Sequence, residues 1–64
     1  MVAGDDAKKA NKAVDTGVII KAGKSLMVFF LDPWGRKKNV EVSPVRSLAV
    51  KEVLRLIRRG HVPV

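Results

Sequence analysis

Five consecutive residues, Trp34, Gly35, Arg36, Lys37 and Lys38, hold most of the chemical content of this 64-residue chain. An aromatic ring beside three cations can stack on an exposed base or wedge into a groove, while the cations neutralise phosphates and release counterions. Lys21 and Lys24 extend that surface from the preceding segment, and Asn39 adds the one amide placed to reach a base edge. Contacts to phosphate are therefore expected to dominate, with low sequence specificity. Trp34 has a second reading. It is the only Trp in a chain short of large side chains, and it could instead fold back over its hairpin to cover Val40 or Phe30.

A second basic group, Lys51, Arg55, Arg58 and Arg59, recurs at helical spacing and forms a ridge interrupted only near its edge by Glu52. The formal net charge is +7, and it is unevenly placed. Residues 1–32 carry five Lys against four Asp, whereas residues 33–64 carry eight Lys and Arg against two Glu. A solvated helix face usually mixes signs, so this bias points to a polyanionic partner. An anionic membrane surface fits less well, because the apolar side of the same helix is needed to cover a sheet.

Catalytic groups are scarce. The chain has one His, no Cys and six carboxylates in unrelated contexts, so no nucleophile, base and orienting group can be assembled. Absence of Cys also removes disulfides and the common zinc frameworks. His61 reads as a solvated or helix-capping side chain. Gly23-Lys24-Ser25 looks like the end of a phosphate-binding loop, but the earlier glycine that such a loop requires would fall at Val18. A non-enzymatic protein with no metal and no cofactor is expected.

The elements that must position these groups follow from the apolar pattern. Residues 1–16 are rich in Ala, Lys and Asp, bury little, and read as a flexible or weakly helical N-terminal tail. Residues 17–64 read as a single basic domain. Val18-Ile19-Ile20 and residues 25–31 form two strands joined at Gly23, and residues 37–43 form a third in which Val40 and Val42 alternate with polar residues. Asp32-Pro33-Trp34-Gly35 has the make-up of a type I turn. Ser43 and Pro44 mark a helix start and Gly60 its end, which predicts a helix over residues 44–59. Residues 26–31 are apolar on both faces of the middle strand, so both faces are expected to be covered. The expected fold is α+β, a small three-stranded antiparallel β-sheet packed on one C-terminal α-helix.

Three strands followed by a helix resembles in outline several small DNA-binding modules. Among them are the arm-binding domains of tyrosine recombinases, and that likeness implies a sheet entering a DNA groove. The functional expectation is a non-catalytic nucleic-acid-binding protein, with DNA favoured over RNA. The alternative is a small accessory subunit of a larger nucleoprotein machine, such as a polymerase or ribosome, acting mainly through protein contacts. A homodimer or protein partner would absorb the apolar excess. The longest apolar run, residues 26–31, is far short of the roughly 20 residues that span a bilayer. The first residues lack the basic-then-apolar order of a secretory signal. Cytoplasmic localisation is expected, nucleoid-associated in a prokaryote. Absence of Gln and Tyr is compatible with a thermophilic source.

Overall fold

The computed structural model describes residues 3–20 and 25–64, in the order α1 (Ala3–Thr16), β1 (Val18–Ile20), β2 (Ser25–Leu31), β3 (Lys37–Val42), α2 (Arg46–Arg58) and β4 (Val62–Pro63). Lys21, Lys24 and the expected turn between the first two strands lie outside the described residues. β2 is the centre of the sheet. β1 and β3 pair with it antiparallel on opposite edges, with Val18 opposite Met27 and Val28 opposite Val40. β4 joins the edge that β1 uses, with Val62 opposite Leu31 and Pro63 opposite Phe30. The backbone N–H of Val64 then donates to the Phe29 carbonyl at 3.0 Å.

Side chains alternate along a strand and paired residues share a face, so this register sorts the sheet into two surfaces. Leu26, Val28 and Phe30 of β2 lie on one surface with Val40 and Val42 of β3, as the alternation in β3 predicts. This surface is the core face. Phe30 and Val53 are fully buried there, and Ala10, Ala13, Val14 and Ala49 complete the cluster from the two helices.

The single-helix expectation is corrected by α1, a 14-residue helix built into this core. Ala10, Ala13 and Val14 form its buried stripe, and small side chains let the helix approach α2 closely. Asp5 and Asp6 in the first turn suit the positive end of the helix dipole. Packing thus supplies what an isolated helix of this length lacks. At the other end, Arg46 at the start of α2 pairs with Asp15 and donates to Asn11 Oδ1 at 3.0 Å, which sets the two helices antiparallel. The Asp15 carboxylate, hydrogen-bonded to the guanidinium, raises the Arg46 pKa above its ordinary value.

The second helix begins at Arg46 instead of residue 44. Ser43 Oγ accepts from the Val45 backbone N–H at 3.1 Å and holds the chain outside the helix until Val45 accepts its first turn bond from Ala49 N–H at 2.8 Å. The C-terminal end lies at Gly60, as expected. Gly60 N–H donates to Ile57 (3.0 Å) and His61 N–H to Leu56 (3.1 Å), a Schellman closure made possible by a φ of +98° at Gly60. The apolar surface of α2 extends past its fully buried residues, although Leu48 stays exposed. Beyond Ala49 and Val53, the flanking Val50, Leu54, Leu56 and Ile57 are partly buried because the helix meets α1 as well as the sheet.

Among the described residues, elements cover one face of the sheet and not the other. Val18, Met27, Phe29, Leu31 and Val62 lie on the opposite surface, where no described element packs, and Phe29 stays 45% exposed. The expectation that both faces be covered is therefore met on the helix side alone.

Candidate nucleic-acid interface

The turn between β2 and β3 is organised by Asp32. Its backbone carbonyl accepts from Gly35 N–H at 2.9 Å, its N–H donates to the Arg36 carbonyl at 2.8 Å, and Gly35 takes a φ of +82°. A type I turn followed by a left-handed glycine is the ordinary three-residue hairpin loop, and it matches the residue types read from the sequence. The Asp32 side chain braces the loop from within. Oδ1 accepts from the backbone N–H groups of Trp34 (2.9 Å) and Arg36 (2.8 Å), and Oδ2 accepts from Arg36 Nε at 3.0 Å. The Arg36 backbone N–H, aided by its guanidinium and the Trp34 N–H, holds the Asp32 carboxyl below its ordinary pKa against the opposing effect of partial burial.

On this braced loop Trp34 projects outward and is not folded back over the hairpin. The residue is 78% exposed, and Arg36 sits over its ring with the guanidinium carbon 5.8 Å from the ring centroid. Of the two sequence readings of Trp34, the projecting one holds. A cation over a π face orients both groups outward at once.

The cations beside Trp34 do not share one surface. Lys37 lies opposite Leu31 on the open face of the sheet, whereas Lys38 lies opposite Phe30 and emerges on the helix side. Asn39, opposite Phe29, is also on the open face. All three are exposed. Alternation in β3 carries this split, so the signal was present in the sequence.

The basic ridge of α2 is also exposed at Lys51, Arg55, Arg58 and Arg59, and its C-terminal end meets the turn. A Cβ placed on Gly60 would stand 3.3 Å from Pro33 Cγ, so the residue that ends the helix touches the residue that starts the loop. Arg55, Arg58 and Arg59 consequently occupy the same end of the molecule as Trp34, Arg36 and Lys38. Lys51 lies about 10 Å further back along the helix. This juxtaposition was missed by sequence reasoning, because nothing local to Gly60 or Pro33 signals the contact between them. Among the described residues the ion pairs are Arg36 with Asp32 and Arg46 with Asp15, which leaves the helix-end arginines and Lys38 with no acidic partner.

His61, expected as a solvated or helix-capping side chain, is instead half-buried, and the bond it gives the helix end comes from its backbone. Its ring packs edge-on against Phe30, with centroids 6.2 Å apart and planes at 88°, and its buried Nδ1 has no hydrogen-bond partner. No group of three or more potential metal ligands comes together among the described residues, and no described helix is long and apolar enough to cross a membrane. Comparison with protein-family models, curated proteins and solved structures returned no match.

Proposed function

We propose that this protein binds nucleic acid without catalysis and with low sequence specificity, and that the end of the fold shared by the β2–β3 turn and the C-terminus of α2 is the contact surface. One observation carries the reading: an exposed Trp on a braced turn, with Arg36 over its ring, stands at the same end of the fold as Lys38, Arg55, Arg58 and Arg59, and Asp32 is the acid that orders the loop. The cations take phosphates and Trp34 takes one base face or one groove edge. Lys37 and Asn39 lie on the open sheet face, so no amide side chain is available at the basic end for a bidentate base contact, which favours binding that ignores sequence. DNA is the favoured ligand.

Titration of the full chain against fluorescently labelled single- and double-stranded DNA and RNA at several salt concentrations tests this reading. Lys38, Arg55, Arg58 and Arg59, the cations of this end without an acidic partner among the described residues, acting together would give a slope of log K on log salt of about −3.6 on duplex DNA. Two duplex sequences of unrelated composition should bind equally. Absence of salt-dependent binding to all four ligands would refute the reading.

A further inference from the structure

The open face of the sheet has a pattern that the nucleic-acid reading does not use. Three columns of side chains stand on it. β3 presents Lys37, Asn39 and Glu41, β2 presents Leu31, Phe29 and Met27, and the outer edge presents Val62, Val64 and Val18. The rows are set by register: Lys37 with Leu31 and Val62, Asn39 with Phe29 and Val64, Glu41 with Met27 and Val18. Val18, Phe29, Val62 and Val64 are 45–74% exposed.

This grid is self-complementary. A two-fold axis lying between two such faces, across the strands and through the Asn39-Phe29-Val64 row, sets β3 over β3 and β2 over β2 with the strands reversed. Lys37 then faces the partner's Glu41, Leu31 faces the partner's Met27, and Val62 faces the partner's Val18. Asn39 and Phe29 each face their own counterpart. An isologous contact requires that residue i meet j while j meets i, and opposite charges at the two ends of one strand satisfy that condition twice per dimer. Lys37 and Glu41 are about 13 Å apart along β3, too far to neutralise each other within one chain. A depression of about 270 Å³ beside Phe29, lined by Lys37, Asn39 and Val64 among others, leaves room for the partner's Phe29 at the axis.

We infer that the chain forms a two-fold homodimer through this face, in aligned sheet-on-sheet packing about 10 Å deep. A face three strands wide and five residues long has a footprint of about 14 by 17 Å, about 240 Å² per partner, which is below the roughly 1,200 Å² total at which stable specific interfaces begin and makes the dimer a weak one that forms only at high concentration. The same axis sends the two basic turns to opposite ends of the dimer and leaves both free.

Sedimentation of the full chain over a concentration series, with circular dichroism to confirm folding, tests the inference. Wild type should pass from monomer to dimer. Lys37→Glu sets Glu against Glu at both contacts and Glu41→Lys sets Lys against Lys, so each variant alone should dimerise about tenfold more weakly or worse. An equimolar mixture of the two variants restores both opposite-charge contacts and should form a heterodimer. A wild type that stays monomeric throughout overturns the inference. So does a dimer indifferent to both substitutions, or a mixture that fails to associate. A monomeric wild type whose Phe29→Ala variant loses nucleic-acid affinity would overturn it and assign the face to the nucleic acid.

Discussion

Replacing Trp34 with Ala separates binding from folding, because the residue is 78% exposed and its ring carries the Arg36 guanidinium over one face. A surface cation–π contact contributes about 0.5 to 1 kcal/mol, whereas truncating a buried Trp costs about 3 to 5 kcal/mol. At about 4 to 8 °C per kcal/mol for a domain of this size, Trp34→Ala should lower the melting temperature by at most about 8 °C. The Asp32-braced loop does not depend on the ring, so the turn should survive. Stacking on a base contributes about 1 to 3 kcal/mol, so affinity should fall about 5- to 150-fold, and Trp34→Phe should recover part of the loss. Thermal melting followed by circular dichroism and a DNA titration on the same preparation supply both numbers. Emission of the wild-type ring should be that of a solvated indole and should change when DNA is added. A melting loss equivalent to 3 kcal/mol or more, or unchanged affinity in Trp34→Ala, would refute the reasoning.

Val42 is 4% exposed and faces Leu26 in the core, so Val42→Asp should unfold the chain in a chemical denaturation series, while Asn39→Asp on the open face should leave it folded. Asp32 binds its proton more weakly in the folded than in the unfolded chain, so its contribution is complete above the unfolded carboxylate range near pH 4 and is lost as pH falls through its lower folded pKa. Acid denaturation of Asp32→Asn should therefore show a shallower loss of stability below about pH 4 than wild type, and parallel curves would contradict the bracing role. Gly60→Ala meets both a φ of +98° and Pro33 Cγ at 3.3 Å, and should cost about 1 to 3 kcal/mol in urea unfolding while loosening the tie between α2 and the turn.

Much of the sheet was legible because its signals are local. Alternation of Val40 and Val42 with polar neighbours places β3, and the Asp32, Pro33 and Gly35 types place the turn. Gly60 likewise marks the helix end. Elements whose stability comes from distant partners were not legible. Ala10 and Ala13 look too small to bury anything, yet their smallness is what lets α1 lie against α2. β4 is two residues long and includes Pro63, which cannot donate to a ladder and so argues locally against a strand. At the candidate site the residue types were readable, as was the split of Lys37 from Lys38, but the meeting of Pro33 with Gly60 that gathers two basic groups at one end is a long-range contact.

The central claim, that the cations at the turn and helix end hold phosphates, is tested most directly by salt-dependent DNA binding of two charge-matched variants. One replaces Lys38, Arg58 and Arg59 with Gln, and the other places Gln at Lys8, Lys12 and Lys51, which are scattered over both helices and likewise exposed. Each loses three positive charges, so a response to net charge alone would be the same for both. The first should lower the magnitude of the salt slope by about 0.9 for each phosphate contact removed, up to about 2.7, and the second should leave it nearly unchanged. Equal slopes for the two variants, or a larger loss in the second, would contradict the assignment of the basic end as the binding surface.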